Sequence, residues 1–211
     1  MPRRNVILVV VAIAVAAVCV RLGVWQLDRL GQRRARNAAL AGRLALPAIE
    51  PRGTMSVDSL RQRRVTVQGV YDYGAEHVWP ARSFDGTPGV ALVTPLRLDD
   101  GTAVFVDRGW VPSPDAFHVD QSRYREPPPD TVTVTGIAFV PPRGRGDVQP
   151  PAAGFLPVVV QSESPEPSSG LPRRWPPPSF DDGPHLSYAI QWFSFALIAL
   201  VGTAALIRKG R

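Results

Sequence analysis

Two long apolar runs, one near each end of the sequence, constrain this chain more than any other feature. Val6–Val20 contains only apolar residues, and Leu186–Ile207 is interrupted only by a few small or polar residues. A helix needs roughly 20 apolar residues to cross the hydrocarbon layer of a bilayer. The runs therefore predict two transmembrane helices with a polar stretch of domain size between them. Both ends of the chain then lie on one side of the membrane.

The first run is short for a span, but a helix can continue past Arg21. More apolar residues follow, and the arginine side chain can reach the headgroup layer. Trp25 would then lie at the membrane interface, where tryptophan is enriched. A cleaved signal peptide is the alternative, because Arg3 and Arg4 precede a short apolar core, although no clear cleavage site follows it.

The hydropathy and the breaker residues divide the chain into six segments. No residue from Arg21 to Leu46 stops a helix strongly, and Pro47 ends it. The expected order is an N-terminal tail (1–4), a first span (5–27), a basic juxtamembrane helix (28–46), a folded domain (47–184), a second span (185–207) and a C-terminal tail (208–211).

The domain between the spans has the pattern of β-strands. Val65 and Val67 alternate with polar residues, and short apolar stretches recur at 89–98, 103–106, 131–140 and 155–160. Turn-forming residues separate several of these stretches, and no helical pattern lies between them. We therefore predict a mainly antiparallel β domain, either a barrel or a sandwich. Apart from the predicted strand at 155–160, the proline-rich segment 141–184 is predicted to be extended, and its role cannot be read from the sequence.

The charge pattern favours membrane contacts over nucleic acid. The net charge of +6 comes from arginine, and Lys209 is the only lysine. The basic residues cluster beside the predicted spans, which favours contact with anionic lipid. Charge alone leaves the orientation open. Arg3, Arg4 and the basic C-terminus favour cytoplasmic tails, whereas the arginines after the first span argue for the opposite side.

The sequence lacks the common catalytic motifs. We find no Cys-x-x-Cys, His-Glu-x-x-His, Gly-x-Ser-x-Gly or phosphate-binding glycine loop, and the only histidines are His77, His118 and His185. A membrane hydrolase with a dispersed Ser–His–Asp triad stays open, because its members can be distant in sequence. A two-span scaffold or sensor, whose β domain binds a protein or an envelope ligand, is a further alternative.

Three blocks of residues together point to a known family. The first is Leu22–Arg29 (LGVWQLDR) at the exit of the first span. The second comprises Gly69–Asp72 (GVYD), Val93–Leu96 (VTPL) and Val106–Pro112 (VDRGWVP), and the third is His185–Trp192 (HLSYAIQW). In this order, the blocks resemble those of the Surfeit-1 family of cytochrome c oxidase assembly proteins. The stretch between Pro141 and Pro184 departs from the family pattern.

The resemblance implies a non-enzymatic membrane chaperone. Such a protein would have cytoplasmic tails and an extracytoplasmic domain in the bacterial cell membrane. It would assist delivery of haem a to the core subunit of cytochrome c oxidase, alongside other oxidase assembly factors and membrane lipid. It could also remain with the oxidase after assembly. No nucleic-acid partner is expected.

The resemblance also implies candidate site residues. His185 matches the family histidine proposed to ligate haem a iron, and a neutral imidazole is a common axial ligand. Tyr188 and Trp192 follow at offsets of three and seven on the same helix face, where they could pack on a porphyrin. Trp25 and Arg29 are further expected contacts, with Arg29 suited to a haem propionate. Arg108, Gly109 and Trp110 are the candidate partner-binding residues.

Overall fold

A computed structural model of the chain describes residues 3–53, 55–125, 131–141 and 154–209, although it does not place the Arg4 side chain. Part of the proline-rich segment, 142–153, therefore lies outside the described residues. The chain divides into two compact units. One comprises Met1–Ala41 and Ser179–Arg211, and the other comprises Gly42–Pro178.

Two long helices build the first unit. Helix α1 runs without a break over Arg3–Ala45, and α3 covers His185–Lys209. Both are long and apolar enough to cross a membrane. At 1.5 Å per residue, α1 is about 65 Å long, whereas the hydrocarbon layer is about 30 Å thick. A large part of α1 must therefore lie outside any bilayer that it crosses.

The buried positions of α1 form a narrow seam. Ala12, Ala16, Cys19, Gly23, Gln26 and Leu30 are buried, with alternating steps of four and three residues. This spacing keeps one face of a helix toward its neighbour. Ala16 and Cys19 pack against Ala196 and Trp192 of α3. A Cβ added at Gly23 would lie 2.8 Å from the Phe193 ring, so the close approach there requires glycine.

The second unit is a six-stranded sheet. Its elements, in chain order, are helix α2 (Val57–Leu60) and strands β1 (Arg63–Tyr71), β2 (His77–Phe84), β3 (Thr87–Leu98), β4 (Ala103–Pro112), β5 (Val132–Phe139) and β6 (Phe155–Ser164). The strand order is β1–β5–β6–β4–β3–β2, and a further pairing joins β1 to β3. That pairing closes five strands into a barrel and leaves β2 as an addition on β3.

The expected β domain is present, with one correction to its topology. Five of the strand pairings are antiparallel, but β4 and β6 run parallel, so the sheet is mixed. Strand β2 matched none of the predicted strands. Pro80 and the positive φ of Ala81 interrupt it, and its register with β3 shifts between Trp79 and Arg82. A bulge of this kind removes the regular alternation that identifies a strand in sequence.

The barrel interior is filled by aliphatic side chains. Val65, Val104, Val134 and Val158 are fully buried there, and Leu60 of α2 joins the same cluster. A second cluster forms around Trp79, Ala91, Phe105 and Val159, and Trp175 packs against it. Since Phe105 and Val159 alternate with inward-facing neighbours on β4 and β6, this second cluster lies on the outer face of the barrel.

Candidate functional site

His185 is the first residue of α3 and meets α1 at Gln26. Its Nδ1 lies 2.9 Å from Oε1 of Gln26, and its side chain is half-buried. Pro184 precedes it, and the Pro184 carbonyl accepts hydrogen bonds from the Tyr188 amide and the Ser187 hydroxyl. These hydrogen bonds join the first turn of α3 to the residue before it, and the imidazole contacts α1 at Gln26.

The turn before α3 is fastened to α1 by polar contacts. The Arg33 guanidinium donates to the Asp181 carbonyl at 2.9 Å and to Asp181 Oδ1 at 3.0 Å, and Asn37 donates to the same carbonyl. Arg34 pairs with Asp182 at 2.7 Å, and this arginine holds the pKa of the Asp182 carboxyl below its usual value. Single exposed ion pairs contribute little, but several together fix the turn that carries His185.

A small basic cavity of about 260 Å³ opens beside His185. Its lining residues share a capacity to donate hydrogen bonds: Arg29, Gln32, Arg33, Arg36, Asn37 and His185. No carboxylate lines this cavity among the described residues. Its charge therefore suits an anionic group. Its volume lies below the roughly 300–1,000 Å³ typical of sites for whole organic ligands, so it suits a carboxylate-bearing edge and not an entire porphyrin.

The structure brings together some of the predicted contact residues and separates others. Arg29 lines the same cavity as His185. Trp192 packs in the helix seam on Ala16 and Cys19, whereas Tyr188 is exposed. Trp25 is also exposed, 48% of its surface being accessible. The roles of these residues as cofactor contacts stay predictions.

Sequence reasoning missed Gln26, Asn37 and the Asp181–Asp182 pair. The signal for Gln26 was present, because it continues the four-and-three spacing of Ala16, Cys19 and Gly23. A polar residue at a seam position indicates a specific partner across the helix pair. No local pattern could have indicated that Asp181 meets Arg33 and Asn37, since these contacts join residues more than 140 positions apart.

The block Asp107–Trp110 lies in β4 and holds a segment of the second unit that we call the strap, residues 165–175. The amides and carbonyls of Trp110 and Arg173 exchange hydrogen bonds of 2.8 and 2.7 Å. Trp175 Nε1 donates to Asp107 Oδ2 at 2.9 Å, and Arg174 donates to the Arg108 carbonyl. Arg108 and Trp110 are only 2% and 6% exposed. The block thus has an internal packing role, and its binding of a partner stays a prediction.

Gly109 supplies a testable consequence of this packing. Its φ is +121°, and a Cβ there would lie 2.4 Å from the Arg173 carbonyl oxygen. We expect Gly109→Ala to lower the unfolding free energy by at least about 1–3 kcal/mol, the range for an unfavourable backbone conformation. Urea unfolding in detergent, followed by tryptophan fluorescence, measures this. Gly101→Ala is a control with a positive φ but nothing near its Cβ. Equal losses in the two variants would contradict the strap contact.

The described residues contain no group of three or more His, Cys, Asp or Glu side chains placed to hold a metal ion. His118 hydrogen-bonds to Asp115 and is largely exposed, and His77 packs on the Phe105 ring. Among the described residues, His185 is the histidine that lines the arginine-rich cavity.

Comparison with known proteins gives a consistent result along most of the chain. The sequence model described as the SURF1 family matches residues 13–197. A SURF1-like protein from Monosiga brevicollis is 29% identical over 228 residues, covering 94% of this chain and 87% of the relative. An uncharacterized SURF1-like protein from Mycobacterium tuberculosis is 26% identical over 225 residues, covering 92% and 80%. A SURF1-like protein from Rickettsia bellii is 27% identical over 117 residues, covering 52% and 46%.

Proposed function

This chain belongs to the SURF1 family, and we propose that it assists haem a delivery to the core subunit of cytochrome c oxidase. The SURF1 family is a membrane-associated family of assembly factors that is generally linked to cytochrome oxidase. It is not a known enzyme class. The observation that carries the proposal is the position of His185. Its imidazole is anchored at Nδ1 by Gln26 and lies at the edge of an arginine-lined cavity. No bond is made or broken by the protein in this role.

The donor set fits a haem group. When bound, haem a would supply an iron and two propionates, and the chain offers a histidine for the iron and arginines for a propionate. His185 would hold the iron, and Arg29 with Arg36 would bind a propionate in the cavity. Because the cavity is small, the apolar body of the cofactor would lie outside it, where Tyr188 and Trp25 are exposed.

We place α1 and α3 across the bacterial cell membrane with both tails in the cytoplasm and the barrel on the outer side. Length and composition support two spans. The last turn of α3 carries Arg208 and Lys209, which suit the cytoplasmic face. His185 then lies near the outer headgroup layer, and the arginines of α1 lie just beyond it. This arrangement puts the propionates at a depth where water and arginine can solvate them.

The proposed partners are the oxidase core subunit, other oxidase assembly factors and membrane lipid. In this role the chain holds haem a only transiently, so the affinity of the chain for haem a must be low enough to permit release. The chain could leave the oxidase after assembly or stay associated with it, and isolation of the oxidase from native membranes distinguishes the two.

The spectrum of the purified chain tests the proposal. After expression in a bacterium that makes haem a, we expect the wild-type protein to carry it and His185→Ala to lose it. His118→Ala is the matched control, because His118 is 88% exposed in the barrel unit and should retain wild-type haem content. Deletion of the chain should lower cytochrome c oxidase activity while respiratory enzymes without haem a keep theirs.

One observation favours a second function, that of a ligand-binding scaffold or sensor. A cavity of about 830 Å³ in the barrel unit is lined by polar residues including Glu50, Arg52 and Asp100. If neither the wild-type protein nor His185→Ala contains haem, and the oxidase assembles without the chain, the haem proposal is wrong and the scaffold is favoured.

A further inference from the structure

Gln26 is a polar residue in an otherwise apolar seam. It is 9% exposed and lies between Gly23 and Leu30 on the face of α1 that packs toward α3. Burial of an amide without a hydrogen-bond partner costs about 1–3 kcal/mol on mutational scales. An apolar residue would therefore pack more favourably here if the position served helix packing alone. Its partner is His185, so the hydrogen bond between the amide and the imidazole explains why a polar residue occupies this position.

The atoms in contact define the tautomer of His185. The amide oxygen Oε1 of Gln26 can only accept a hydrogen bond, and it lies 2.9 Å from Nδ1. In the neutral imidazole, this contact places the proton on Nδ1 and the lone pair on Nε2. Nε2 is the nitrogen that a neutral histidine needs for binding iron. Metal-binding histidines commonly donate their other N–H to a carbonyl or carboxylate, which orients the ring and strengthens the ligand.

The surroundings keep this hydrogen bond in place. Gly23, one turn along α1, allows the close approach of Phe193. On the other side, Arg33 and Asn37 bind the turn at Asp181, four residues before His185. Arg29, the nearest arginine to Gln26 in sequence, donates to Gln32 and leaves the amide oxygen to the imidazole. The position of the histidine ring is thus restrained by the packing at Gly23 and by the hydrogen bonds at Asp181.

We propose that Gln26 is a positioning residue for the haem site, holding His185 in the tautomer and orientation that present Nε2 to iron. The proposal rests on the haem-binding function proposed above and assigns a role within the same site. Gln26 itself touches neither the cofactor nor the iron. It acts through His185, and it sets both the affinity for haem a and the electron density that the imidazole donates.

Two substitutions separate this role from simple packing. Gln26→Met has a similar volume but no acceptor, and Gln26→Glu keeps an acceptor while removing the ability to donate. We expect Gln26→Met to weaken haem a binding by about 10- to 100-fold, the usual effect of losing the partner of a metal-binding histidine. Gln26→Glu should retain binding. A carboxylate accepts more strongly, so it should raise the iron–histidine stretching frequency of the ferrous protein and lower the reduction potential.

The measurement is a titration of the purified full-length chain in detergent with haem a, followed by resonance Raman spectroscopy and redox titration. Gln191→Met is the matched control, since Gln191 is exposed on α3 and outside the cavity, and it should bind as the wild type does. His185→Ala reports on the haem site itself.

The outcomes are distinguishable. Wild-type affinity and an unchanged iron–histidine band in Gln26→Met, with binding lost in His185→Ala, would overturn the role of Gln26 and leave the haem function intact. Equal losses in Gln26→Met and Gln26→Glu would also overturn it, because the amide would then be donating to the ring. Unchanged binding in His185→Ala would overturn the haem site and the role of Gln26 together.

Discussion

Arg108→Met is expected to lower the unfolding free energy of the barrel by about 3–5 kcal/mol, the usual loss when one partner of a buried ion pair is removed. The Arg108 and Glu76 side chains are only 3% and 1% exposed, and Nη1 of Arg108 lies 2.9 Å from Oε2 of Glu76. Arg108 also donates to the Tyr124 carbonyl and lies over the rings of Tyr71 and Tyr73. The substitution leaves a carboxylate buried without its cation.

A double-mutant cycle identifies the cause of this loss. Replacement of both partners, Arg108→Met with Glu76→Leu, should recover a large part of the stability, because no buried charge is then left alone. Arg97→Met is the surface control. Arg97 pairs with Asp72 but is 68% exposed, so its loss should cost less than about 1 kcal/mol. Urea unfolding of the full chain in detergent measures the four variants Arg108→Met, Glu76→Leu, the double variant and Arg97→Met. A similar cost for Arg97→Met and Arg108→Met would contradict the role of burial.

Asp107 should make the stability of the barrel fall as pH rises from about 4 to about 6. Burial raises the pKa of the Asp107 carboxyl to about 6, although hydrogen bonds from Trp175 and the Gly109 amide and the charges of Arg82 and Arg174 oppose the shift. The folded protein then holds a proton that the unfolded chain releases at lower pH. The stabilisation from Asp107 is fully present at pH values below the pKa that this carboxyl has in the unfolded chain. It is lost once the pH reaches the pKa in the folded protein, and the total loss of unfolding free energy is about 3 kcal/mol.

Comparison with Asp107→Asn isolates this effect. The amide keeps an oxygen that can accept from Trp175, but it carries no charge to desolvate. Asp72, Asp100 and Asp115 have lowered pKa values, so their contributions change with pH in the opposite sense, and they are the same in both proteins. The difference in unfolding free energy between wild type and Asp107→Asn should therefore shrink as pH rises and turn in favour of the variant. A constant difference between pH 4.5 and 7.5 would show that Asp107 does not titrate in this range.

The sequence predicted most strands but not how they pair. Alternation, apolar stretches and turn residues located five of the six strands, because these signals are local. The parallel pairing of β4 with β6 and the closure of β1 on β3 depend on which distant edges meet. Strand β2 was missed since Pro80 and the bulge near Ala81 disrupt the period-two pattern. The sequence predicted that Arg108–Trp110 bind a partner. Their burial beneath the strap depends on contacts with residues far along the chain, so no local pattern indicates it.

The sequence by itself determined two apolar helices, a β-rich domain between them, the family and a histidine at the start of the second helix. These depend on composition, period and short motifs, which are properties of neighbouring residues. Only the tertiary structure decided that Gln26 meets His185, that Arg29 and Arg36 line one cavity with it, and that Glu76 lies buried against Arg108. Such contacts join residues far apart in the chain. They depend on which helix and sheet faces pack together and on which charged side chains are buried as a pair.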